Sequence, residues 1–140
     1  MNQRLKKSVK KSVNSLYKTL PVLAGIILLV SLASTLIPKS LYSELFSGNI
    51  FQDSVIGSIL GSIFAGTPIT SYILGGEFLV QGVSIVAITA FMVSWVTVGL
   101  IQLPAESIML GRRFAISRNI LSFIFSIIVA IITVLIVGGL

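Results

Sequence analysis

Glu44, Asp53, Glu77 and Glu106 are the only carboxylates in this chain, and it has neither cysteine nor histidine. Disulfides, Cys/His zinc sites, thiolate nucleophiles and histidine-based triads are thereby excluded. The phosphate-cradling patterns G-x-x-x-x-G-K-[ST] and G-x-G-x-x-G are missing as well. The sequence implies no metal, no cofactor and no enzyme. What it does concentrate is hydrogen-bonding side chains. Gly66-Thr67-Pro68-Ile69-Thr70-Ser71 sets three hydroxyls around a proline, and Glu77 lies six residues beyond. Such a group can bind a solute and pass it on, but it has no activated nucleophile.

The surroundings are strongly apolar. Hydrophobic residues make up 55% of the 140 positions and charged ones 10%, with a mean hydropathy of +1.07. Charges leave long gaps: 20 residues between Lys18 and Lys39, 23 between Asp53 and Glu77, 28 between Glu77 and Glu106, and 22 after Arg118. A helix needs roughly 20 apolar residues to cross a ~30 Å hydrocarbon layer. Four such runs predict an all-α, multi-pass protein of the cell membrane.

Leu5, Val9, Val13 and Leu16 within residues 1–19, with Leu20 next to them, recur at helical spacing, and five lysines occupy the remaining faces. This predicts a basic amphipathic helix on the membrane surface, held by anionic headgroups. The net charge of +6 lies mostly in this tail. Because a span follows at once, lipid rather than nucleic acid is the expected partner. The rest, 20–140, reads as one transmembrane domain with spans over 20–37, 83–101 and 118–138. Pro21 suits the first turn of the first span, and Pro38 discourages its continuation.

The segment 54–81 is different. Of the 23 residues from Ser54 to Gly76, 12 are Gly, Ser, Thr or Pro. Its first part carries a packing ridge of Gly57, Gly61 and Ala65, which lets another backbone approach closely. That part is long enough for about 18 Å of helix, roughly half the membrane. Pro68 then removes an N–H and pushes Thr67 out of helical geometry. A re-entrant helical hairpin is expected over 54–81. The alternative is a complete fourth span. The distribution of Lys and Arg favours the hairpin, because it puts both the N-terminal tail and the Arg112/Arg113 loop in the cytoplasm. The acidic 39–53 loop and the C-terminus are then external.

Broken backbone at membrane depth leaves peptide groups unpaired unless protein or a water-filled cavity surrounds it. Transporters place such breaks where a solute binds. Gly66, Thr67, Pro68, Thr70, Ser71 and Glu77 are therefore the candidate solute pathway. The competing reading is that the small and hydroxyl residues only tighten helix packing. Glu77 in the bilayer would cost ~2.5–3.5 kcal/mol or more, which marks it as functional; at the external interface it would simply be solvated. Glu106 with Arg112 and Arg113 reads as a loop ion pair, and Trp95 as packing.

The stretch from about Asp53 to Arg118 resembles the predicted-permease family that includes organoarsenical and copper/zinc efflux permeases. Gly66, Pro68, Ile69, Ser71, Gly82 and the Ala90-Phe91 pair match a pattern resembling G-x-P-[IL]-C-S-C-G and its downstream arm. Thr70 and Tyr72 stand where that pattern has cysteines, and Ile73 where it has glycine, so thiolate ligation of a soft metal is not implied. Members of ordinary length hold two such units and this chain holds one. The resemblance implies a half-size permease that pairs with a second copy of itself to carry a small solute or ion. Two other readings stay open: a non-transporting assembly partner in the membrane, and a small proton-coupled multidrug exporter with four spans.

Overall fold

The computed structural model describes residues 2–36, 39–64 and 66–138. Among them are seven α-helices and no strand. The chain divides into two compact units, 1–36 and 37–140.

The first unit is a single helix, α1 (Asn2–Leu36), which continues through Pro21. The surface helix and the first span expected from the sequence are thus one element here. Proline at position 21 removes the hydrogen bond to the Tyr17 carbonyl without ending the helix. Leu5, Val9, Val13, Leu16 and Leu20 are all exposed on it.

The second unit contains α2 (Lys39–Leu45), α3 (Ile50–Ile63), α4 (Pro68–Val80), α5 (Ile85–Thr97), α6 (Leu103–Leu110) and α7 (Arg112–Gly138). α5 is its centre, packing against α3, α4 and α7. α3 starts at the Asn49 cap, whose side chain accepts from the N–H groups of Phe51 and Gln52. It ends where Phe64 turns extended (φ −78, ψ 148). α4 begins at Pro68, which fills a first-turn position that needs no N–H. α4 returns toward the start of α3 and passes into α5 through a turn in which Gly82 has φ 90. Only glycine adopts that backbone readily.

α3 and α5 run in the same direction, because their contacts ascend together. Ser84, the cap of α5, donates to Asp53 at the start of α3 over 2.6 Å. A Cβ on Gly57 would lie 2.1 Å from the Ala87 carbonyl oxygen, and one on Gly61 would lie 2.2 Å from that of Phe91. The two helices therefore touch backbone to backbone. Ala65, the third member of the expected ridge, lies outside the described residues.

α7 runs opposite to both. Val86 and Ala90 share a buried cluster with Ala130, and Ser58 and Ser126 pair through their hydroxyls at 2.9 Å. α7 buries Ala115, Asn119, Ser126 and Ala130, while Phe114, Ile120, Ile124, Phe125, Ile128 and Leu135 are exposed. The buried residues of α3 are likewise small or polar: Asp53, Ser54, Gly57, Ser58, Gly61 and Ser62. Several of the serines bond to their own helix three residues back, as Ser62 does to Ile59, Ser94 to Phe91 and Ser126 to Phe123.

Among the described residues one helix, α7, is long and apolar enough to cross a membrane. It starts before the expected 118–138. The helix in place of the span expected at 83–101 has 13 residues, or ~20 Å at 1.5 Å per residue, short of a ~30 Å core. Its end has a local cause: Val98 is extended (φ −98, ψ 114), Gly99 follows, and Pro104 opens α6.

Replacing Gly57 or Gly61 by alanine forces a methyl group onto backbone that cannot rotate away. Overpacking of this kind costs about 1–3 kcal/mol or more. Either variant is expected to lower the melting temperature in detergent sharply or to give no monodisperse protein. Gly76→Ala, where a Cβ would meet nothing within 4 Å, is expected to melt at or above the parent temperature.

Candidate functional site at two adjoining helix breaks

The break between α3 and α4 does not stand alone. α5 is interrupted beside it, and the two interruptions enclose a cleft of about 220 Å³ lined by Phe64, Gly66, Pro68, Trp95, Gly99 and Gln102, among others. The cause lies in the parallel course of α3 and α5. Two helices of 14 and 13 residues that start together also end together.

The pathway residues divide between this cleft and the body of α4. Gly66 and Pro68 line the cleft. Thr67 caps α4 with its backbone only: its carbonyl accepts from Thr70 and Ser71, and its hydroxyl pairs with that of Thr70 at 3.1 Å. Ser71 is buried and donates to the Pro68 carbonyl at 2.7 Å. Glu77 sits two turns further along α4, half-buried, and accepts from Gln81 at 3.3 Å. The structure therefore brings Gly66, Thr67, Pro68 and Thr70 together at the break and sets Glu77 toward the opposite end of α4. Gly57 and Gly61 lie on the α3–α5 contact.

Trp95 is buried, as the sequence implied, but it does more than fill space. Its ring stacks on Phe64 at 5.3 Å and 4°, and Phe91 meets it edge-on at 5.3 Å. Its Nε1–H is buried with no hydrogen-bond partner. The stacked neighbours hold the ring so that it cannot turn to find one. The atoms nearest a Cβ built on Gly66 are Trp95 Cζ2 at 3.0 Å, Cε2 at 3.7 Å and Nε1 at 3.8 Å, so the N–H edge faces the Gly66 turn.

A polar clamp secures the second break to α7. Asn119, buried, accepts from the Gly99 N–H at 2.8 Å and donates to the Ala115 carbonyl at 2.9 Å and to Glu106 at 3.3 Å. Arg118 forms an ion pair with Glu106 and donates to the Thr97 carbonyl at 3.3 Å. Glu106 therefore pairs with Arg118 and not with Arg112 or Arg113. The expected pairing of Glu106 with Arg112 and Arg113 is corrected by this. Only the helical register of α7 separates the three arginines, turning Arg118 inward with Asn119 and leaving Arg112 and Arg113 exposed.

Two further features escaped the sequence reading. Asp53 closes the expected 39–53 loop, yet it is fully buried in the first turn of α3. Its carboxylate accepts from the Ser84 hydroxyl, close to the N-termini of two parallel helices whose dipoles favour a negative group there. The pairing of Ser58 with Ser126 was also missed. Long-range pairs of this kind have no local signature.

Among the described residues, no group of three His, Cys, Asp or Glu side chains is placed to hold a metal ion. No family model matches the chain, and no curated protein or solved structure matches it at a significant level.

Asn119→Ala would leave the Gly99 N–H without its acceptor and would remove one donor to Glu106. A stranded buried group costs about 1–3 kcal/mol. The variant is expected to lose several degrees of thermal stability and to speed amide exchange at 97–102. Arg113→Ala is expected to change neither.

Proposed function

We propose that this chain is a half-size membrane permease subunit that pairs with a second copy of itself. Its pathway for a small solute or ion runs past the break at Gly66–Ser71. The observation that carries this reading is the interruption of two apolar helices side by side, one with Phe64, Gly66 and Thr67 outside helix and the other over Val98–Gln102. In lipid, irregular backbone survives only inside protein or beside water, and such breaks form the binding sites of many transporters.

The distribution of side chains supports a lipid environment. Large aliphatic and aromatic residues point out from α7, while serine, alanine and asparagine point in. In water such an outer surface would be a large exposed apolar patch, which soluble monomers avoid. In hydrocarbon it costs nothing, and small inward residues allow close helix packing. On this reading α3 and α4 form the re-entrant hairpin and α7 is a span. The basic N-terminus is cytoplasmic by the bias of Lys and Arg toward that side. A single copy exposes the edge of the break: Gly66, Thr67 and Pro68 are all exposed. A second copy would cover them and complete the route.

The absence of cysteine permits a direct test. Single cysteines at Gly48 and Gly82 are expected to label from the same side of a sealed membrane, and one at Arg112 from the other. Gly48 and Gly82 labelling from opposite sides would rule out the hairpin. Cross-linking through a cysteine at Thr67 is expected to trap a dimer. Reconstituted liposomes should show solute flux that falls at least tenfold in Ser71→Ala or Glu77→Gln. Unchanged flux in both would remove those residues from the pathway.

A further inference from the structure

We infer that α1 pairs with α1 of a second copy as a parallel two-stranded coiled coil, with Val9, Val13, Leu16 and Leu20 in its seam. This deepens the self-pairing proposed above, and it rests on the membrane of that reading to hold both N-termini on one side. The first observation is spacing. Val9, Val13, Leu16 and Leu20 are separated by steps of four, three and four, and the sequence carries the same steps on through Leu23, Ile27 and Val30. An apolar position every 3.5 residues is the pattern that winds two helices around each other. No polar residue interrupts it. In this register Val13 and Ile27 take the first apolar position of their heptads, and Leu16 and Leu23 take the second. β-Branched residues at the first and leucine at the second favour two parallel strands.

The second observation is charge. Residues 1–36 hold six Lys and Arg and no acid, so two copies can meet only where those charges are kept apart. Arg4, Lys11 and Lys18 recur every seven residues, and with Lys7 they fall on the side of the helix away from the seam. Lys6 stands at the start of the seam and Lys10 borders it. The other bordering positions in this half, Leu5, Ser12, Tyr17 and Thr19, are uncharged. Thr19 turns its hydroxyl back to the Ser15 carbonyl at 2.9 Å.

The third is continuity. α1 runs unbroken from Asn2 to Leu36 as a unit of its own. Residues 20–36 account for ~26 Å of helix, most of a ~30 Å hydrocarbon core, and residues 2–19 for a further ~27 Å. A helix that stays continuous carries its first half out of the membrane instead of along the surface. Pro21 falls on the side away from the seam and does not end the helix. Val9, Val13, Leu16 and Leu20 are each more than half exposed, so on a single copy the stripe stands bare in water. A second α1, held parallel by the same membrane, is the surface of matching length, spacing and direction.

Because the chain has no cysteine, single cysteines can report on the seam. The full-length protein is reconstituted in liposomes of phosphatidylcholine and phosphatidylglycerol and oxidised. Leu16→Cys, in the seam, is expected to form a disulfide-linked dimer at least tenfold faster than Lys11→Cys, on the outer side. Val9→Cys repeats the comparison if Leu16→Cys does not fold. Equal rates at inner and outer positions would overturn the inference. A fluorophore on Val13→Cys is expected to be untouched by brominated lipid. Strong quenching that needs phosphatidylglycerol and is lost in high salt would also overturn it, since that is the behaviour of a helix lying on anionic headgroups. Seam cross-linking without solute flux would instead sink the permease reading and leave the coiled coil standing. Flux with equal cross-linking rates would do the reverse.

Discussion

Everything in the second unit hangs on the contact between α3 and α5, where Gly57 lies against the Ala87 backbone and Gly61 against the Phe91 carbonyl and the Ser94 hydroxyl. Parallel neighbours need a connection that returns the chain to its starting level. α4 is that connection, and it fixes why the chain breaks where it does. Asp53 and Ser84 tie the two helix starts. Helices of near-equal length then end side by side, and the two interruptions become one cleft. A longer side chain at either glycine would part the helices and take the cleft apart with them.

The second consequence concerns polarity. Most helical bundles in water bury leucine and expose lysine. Here α3 and α7 bury serine, glycine, alanine and asparagine and expose isoleucine and phenylalanine. On the membrane reading proposed above the solvent is itself apolar, so burial of large side chains would bring little and the tightest approach of backbones would win. The long-range hydrogen bonds of charged side chains then lie at two ends: Asp53 with Ser84 at one, and Glu106 with Arg118 and Asn119 at the other.

Much of this could be read from residue types, and the rest could not for definite reasons. The break at Thr67-Pro68 was legible because proline acts on its immediate neighbours. The glycine ridge was legible because its spacing is helical. The early end of α5 was not, since Val96-Thr97-Val98 is as apolar as any span and its extended turn is a matter of conformation rather than hydropathy. Only Gly99 and Pro104 hinted at it. Asp53 looked like a loop residue because a charge at the edge of an apolar run reads as its boundary; its burial depends on α5 returning beside α3. The choice of Arg118 over its neighbours depends on the rotation of α7, and the pairing of Trp95 with the Gly66 turn on two segments distant in sequence.

The serines that bond backward to their own helices have a mechanical meaning. Ser62, Ser94 and Ser126 each satisfy the hydroxyl within one turn of the same helix, so the surfaces they present are chemically quiet. Between α3 and α7 the Ser58–Ser126 pair is the one side-chain hydrogen bond described, and Ser126 keeps its own carbonyl partner if that pair opens. The seam is therefore held by close packing of small residues far more than by polar pairing, in contrast to the bolted ends.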